Sequence, residues 1–154
     1  MDTIHKYEVR AKATRVRSGV VASDVISQPI NFSAPPEFSG EAHVWTPEHF
    51  FVASVVTCFV STFSGMSDIS KFNFVSLEVE AEGTLERDAT GWNFSEIKLR
   101  PLLKVAQEKD HDRGARLLEK AERTCLIARS ITAKITLEPV IEAAPEIALS
   151  EATL

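Results

Sequence analysis

The chain is short of the residues that would place it in a specialised class. Two cysteines, 6 glycines and 7 prolines in 154 residues exclude a disulfide-stapled miniprotein and a collagen-like fibre. Basic charge is also scarce: 17 basic against 22 acidic side chains leave a net charge of −5, so nucleic acid is not expected as a partner without a local basic patch. The opening residues, MDTIHKYEVRAK, lack the apolar core of a secretory leader, and a cytoplasmic location is expected. The most apolar stretch, Phe50 to Phe63, is 14 residues long and broken by Ser54, Thr57, Ser61 and Thr62. That is short of the roughly 20 apolar residues that span a bilayer, so it predicts a buried helix and no membrane association. GxGxxG and GxxxxGK[ST] are missing, so there is no phosphate cradle. HExxH and the nucleophile elbow of a Ser-His-Asp hydrolase are missing as well, and no metal or other cofactor is expected.

What remains is ordinary globular composition, 44% hydrophobic and 25% charged, of a length that predicts one domain over residues 1–139 with a peripheral tail at 140–154. Tyr7, Val9, Ala11 and Ala13 alternate with charged residues as in a half-buried strand. Continued, that period points Arg15 and Arg17 inward before a turn at Ser18-Gly19 and a strand over Val20–Ile26. Residues 29–45 read as a structured loop anchored by Ile30, Phe32, Phe38 and Trp45. Thr46-Pro47-Glu48 predicts a helix start that runs to about Gly65, with Thr46 as cap and Pro47 in the first turn. Val75 to Arg87 alternates as a strand and Asp88-Ala89-Thr90-Gly91 turns it. In the return strand the apolar parity switches from Trp92 and Phe94 to Ile97 and Leu99, which predicts a bulge near Ser95. A second helix over 110–127 carries Leu118, Ala121 and Cys125 on one face, and a last strand follows over 131–137. Turn-linked strands interrupted by two helices predict an α+β fold with mainly antiparallel pairing.

Cys58 and Cys125 are the chemistry-bearing candidates. A helical cysteine taken alone is most often a small core residue. Cys58, however, shares its surroundings with a carboxylate at the head of its own helix and with two inward arginines, groups suited to stabilising a thiolate. Cys125 offers a partner of comparable depth on a second helix. His43 and His49, beside Glu48, match no zinc spacing and read as loop and helix-cap residues, and Asp110-His111-Asp112 reads as a helix start. The alternative to thiol chemistry is a non-catalytic fold in which both cysteines are packed and an apolar cleft around Phe50, Phe51, Phe59 and Phe63 binds a small hydrophobic compound.

The string TPEHFFVASVVTCF at residues 46–59, followed by ERTCLIARS at 122–130 and preceded by PPEFSGEAHVW, resembles the OsmC/Ohr family of osmotically inducible and organic hydroperoxide resistance proteins. The resemblance implies an intertwined homodimer with a buried central helix, acting as a metal-free peroxidase on organic hydroperoxides. It also implies Cys58 as peroxidatic cysteine, Cys125 as resolving cysteine, and Glu48 as the carboxylate that pairs with a catalytic arginine. Arg17 and Arg15 straddle the place of that arginine, and an external dithiol, lipoyl-type in the Ohr branch, is the implied reductant. Leu126 departs from the family's frequent proline after the second cysteine. Glu48 precedes Cys58 by ten residues, roughly 15 Å along a helix axis at 1.5 Å per residue. A carboxylate serving Cys58 is therefore expected from the partner subunit.

Overall fold

The computed structural model describes residues 3–144, which fall into two compact units divided between Phe51 and Val52. In the first, β1 (Arg10–Arg15), β2 (Ser18–Ser23) and β3 (Ile26–Ser33) form an antiparallel meander in the order β1-β2-β3. Three expectations change here. β1 is exposed along its whole length rather than half-buried, and it starts at Arg10. Its register slips between Ala13 and Arg15, which pair with Gly19 and Ser18. Thr14 is thus the extra residue of a bulge, and the uninterrupted period assumed for Arg15 fails. The turn is Val16-Arg17, and Ser18-Gly19 already belongs to β2. β3 occupies part of the expected loop, and it tolerates Pro29 because it is an edge strand whose register is irregular between the pairs Val21↔Ile30 and Ser23↔Ile26. A 3-10 turn at Pro36–Phe38 follows, and the chain returns through a bridge between Phe32 and Trp45.

Helix α1 (Pro47–Ile69) starts where the capping residues place it: the Thr46 hydroxyl accepts a hydrogen bond from the His49 amide at 3.1 Å. It continues past Gly65 to 23 residues, because one interior glycine costs only about 1 kcal/mol. With a mean hydropathy of 1.6 in its most apolar window, α1 is long and apolar enough to cross a membrane by length and composition, which corrects the expectation of a helix too short to do so. Val55, Phe59, Phe63 and Ser67, four residues apart, form its buried stripe.

In the second unit β4 (Ser76–Asp88) and β5 (Gly91–Val105) make a long hairpin with Leu77, Val79 and Ala81 alternating against exposed Glu78, Glu80 and Glu82. The Asp88 carboxylate accepts from the Thr90 amide at 2.7 Å and its hydroxyl at 2.6 Å, closing the turn. Thr84 pairs with Glu96 and Leu85 with Phe94. Ser95 is the unpaired residue, so the bulge lies where the parity switch put it.

Helix α2 (His111–Thr124) packs on this sheet through Gly114, where a Cβ would come within 2.8 Å of Leu103 and 3.4 Å of Phe72. β6 (Lys134–Leu137) and β7 (Val140–Ala143) both run parallel to β5. Their pairings stop at Leu99 and resume at Leu102, which leaves Pro101 without a partner residue on that side. β7 corrects the reading of residues 140–143 as a peripheral tail: Ile141 is half-buried and the strand is fully registered on β5. The rest of that tail, 145–154, lies outside the described residues. The architecture is the expected α+β class, with two helices and mainly antiparallel sheets.

Candidate active site

Cys58 sits in the middle of α1, half-buried, with its sulfur 3.9 Å from the hydroxyl of Thr62 one turn further on. Cys125 is 1% exposed. It does not lie inside α2 as expected but caps its C-terminus, where ψ swings to 114°. Its amide still donates to Ala121 at 2.9 Å, and its carbonyl accepts from the Arg129 amide at 3.1 Å. The residues after it turn into a short 3-10 segment, Ala128–Ser130. The amides of Leu126, Ile127 and Ala128 are thereby freed from helical pairing and brought to the two sulfurs.

Electrostatics separates the two thiols. Burial alone pushes Cys58 up, but hydrogen bonds from the Cys125 thiol, the Ile127 amide, the Thr62 hydroxyl and the Leu126 amide outweigh it and hold Cys58 below the usual thiol range. Cys125 moves the other way: burial raises it first, then the proton it gives to Cys58, then repulsion from the Cys58 charge. The Cys58 thiol is thus the easier of the two to ionise and the Cys125 thiol the harder, the difference that a nucleophile and a resolving group require. Both cysteines are free.

The other expected residues are placed differently. Arg15 and Arg17 do not point inward, since both are exposed. Arg15 pairs with Glu41 at 2.8 Å, and Arg17 occupies the hairpin turn at φ 65°. Glu48 stands in the first turn of α1, with its Oε2 buried and without a hydrogen-bond partner among the described residues. Phe50 stacks on Trp45 at 5.7 Å between ring centroids and Phe51 is half-buried. Phe59 and Phe63 are 0% exposed, and Phe63 packs edge-on against Phe74 at 5.2 Å. Neither offers surface to a ligand, so the four-phenylalanine cleft is corrected: on an apolar helix, hydrophobicity alone does not separate core from pocket wall. His49 is a cap residue, its Nδ1 2.8 Å from the Thr46 hydroxyl. Among the described residues no three His, Cys, Asp or Glu side chains are grouped to hold a metal ion. Sequence reasoning missed the amide donors, which have no side-chain signature. It also missed Thr62, whose spacing of four from Cys58 was the available signal.

The family model described as OsmC-like protein matches residues 40–140. The uncharacterized protein YmaD of Bacillus subtilis (strain 168) is 25% identical over 111 residues, covering 70% of this chain and 74% of its own. Among solved structures, an OsmC-like protein of unknown function from Vibrio cholerae superposes with a TM-score of 0.79 at 18% identity, covering 89% of this chain and 100% of that one. An organic hydroperoxide resistance protein OsmC from Legionella pneumophila gives 0.73 at 17% identity, covering 93% and 100%. With the matched region running from the loop before α1 to the start of β7 and taking in both cysteines, the chain belongs to the OsmC-like protein family.

Proposed function

We propose that the protein is a thiol-dependent peroxidase that reduces organic hydroperoxides in the cytoplasm. The observation that carries this reading is the paired thiols, Cys58 lowered by donors that include Cys125, and Cys125 raised beside it. The Cys58 thiolate attacks the terminal peroxide oxygen and the O–O bond breaks heterolytically. The alkoxide leaves and takes up a proton as alcohol, while the sulfur is oxidised by two electrons to sulfenic acid. The Cys125 sulfur then attacks the sulfenic sulfur and water leaves, carrying the Cys125 proton. An external dithiol, lipoyl-type or similar, supplies the two electrons and two protons that reopen the disulfide. Arg17 is the arginine assigned to the departing alkoxide and Glu48 the carboxylate that orients it, with a homodimer as the working unit. The name of the Legionella pneumophila relative supports the substrate class.

Mass spectrometry after one equivalent of cumene hydroperoxide tests the scheme. An intramolecular Cys58–Cys125 disulfide is expected in the wild type, and sulfenic or higher acids on Cys58 in Cys125→Ser. Two free thiols after peroxide treatment would sink the reading and favour the non-catalytic, ligand-binding alternative.

A further inference from the structure

The loop that follows β3 is tied to the β1–β2 hairpin by one closed set of contacts. The Glu41 Oε1 atom accepts from the Ser18 hydroxyl at 2.8 Å and from Arg15 Nη2 at 2.8 Å. The Glu41 amide donates to the Ser33 hydroxyl oxygen at 2.8 Å, and the two serine oxygens lie 3.2 Å apart. The single Ser18 hydroxyl proton faces two acceptors, the Glu41 carboxylate and the Ser33 hydroxyl oxygen, and the shorter contact is the one to the carboxylate. Ser18 and Ser33 are buried. An exposed ion pair is ordinarily weak because two flexible side chains must be held together, but here Glu41 is already immobilised and only Arg15 has to be ordered.

The same loop sets the conformation of the second arginine. The Ala34 amide donates to the Arg17 carbonyl at 2.8 Å, fixing the turn that carries Arg17 at φ 65°, a left-handed conformation uncommon for a residue with a side chain. The loop presses close enough that a Cβ on Gly40 would meet the Ala34 carbonyl oxygen at 1.5 Å. The Arg17 guanidinium itself has no hydrogen-bond or ion-pair partner among the described residues. Two arginines two positions apart are therefore treated oppositely: one is occupied, and the other is fixed by its backbone and left free at its head.

We propose that Glu41 is a positioning residue that selects the working arginine, sequestering Arg15 so that Arg17 alone is presented. The selection rests on the peroxidase reading, in which an arginine stabilises the departing alkoxide, whereas the clamp itself does not.

The test combines activity with chemical modification. Arg17→Ala is expected to lower kcat/KM for cumene hydroperoxide by about 100-fold or more, and Arg15→Ala by less than about threefold, the loss of a developing-charge partner against the loss of none. Glu41→Gln keeps an acceptor for Ser18 but releases Arg15, and it should lower the wild-type activity while raising that of the Arg17→Ala protein several-fold. A Glu41 that only held the loop together would lower both backgrounds, and that outcome overturns the proposal. Independently of turnover, phenylglyoxal should modify Arg15 several-fold faster in Glu41→Gln than in the wild type, as read by peptide mass spectrometry. An unchanged Arg15 rate overturns the clamp even if the enzyme is an active peroxidase. A changed rate in a protein that reduces no peroxide keeps the clamp and overturns only the peroxidase reading.

Discussion

Cys58 and Cys125 carry the same side chain and are driven in opposite directions by the groups around them. Alkylation by iodoacetamide reads the thiolate, so the direction of each shift fixes the order of the two profiles. Cys58, held low, should remain reactive as pH falls through the range where a free cysteine peptide has reprotonated. Cys125, held high and 1% exposed, should stay unreactive throughout that range. Removing the donor in Cys125→Ala should move the Cys58 midpoint upward, since burial then acts against fewer hydrogen bonds. A Cys58 midpoint equal to that of the peptide would contradict the arrangement. At this scale the sequence shows side chains and not backbone donors. Both cysteines were legible, as was the capping role of Thr46, whereas the amides of Leu126 and Ile127 became visible only with the turn that aims them.

Elements were legible where one pattern ran undisturbed. The α1 cap and the Ser95 bulge follow from residue type and parity, and both are local. β1 failed because neither of its faces is covered, so its alternation marks no inward side, and the extra residue Thr14 breaks the period before Arg15 as well. β3 and β7 failed because Pro29 and Pro139 read as loop punctuation, although one belongs to an edge strand and the other joins β6 to β7 on the same side of β5. α2 ends before the apolar period does: Cys125 keeps its place on the buried face through one last hydrogen bond to Ala121 while its own ψ leaves the helix. The fully buried stripe of α1 carries its own prediction. Phe63→Ala should destabilise the protein by about 3–5 kcal/mol, the usual cost of deleting a buried aromatic ring. Urea denaturation would measure it as a lower midpoint with little change in slope. A loss below about 1 kcal/mol would instead return Phe63 to the role of a pocket wall.

At the scale of the molecule, large apolar side chains stand open to solvent in the first unit. Tyr7 is 92% exposed and Val25 91%, and Val9 and Ile26 stand open around the same hollow. All four lie within the first 51 residues, beside a sheet whose first strand is uncovered on both faces. Apolar surface gathered in this way marks a contact site, and a second copy of the chain, expected from the family resemblance, is the partner proposed for it. Tyr7→Glu combined with Val9→Glu should convert a dimer to monomer in light scattering. Glu48 extends the argument to the site. Its buried, unpartnered Oε2 is costly unless a donor reaches it in the assembled protein. Ten residues along one continuous helix also hold it about 15 Å from Cys58 in its own chain. We propose that Glu48 serves the cysteine pair of the partner. Heterodimers of a Cys58→Ser chain with a Glu48→Ala chain decide this: acting in trans, one site loses both groups and the other keeps both, so about half of the wild-type activity should survive. Acting in cis, each site loses one group, and near-zero activity in verified heterodimers would refute the composite site.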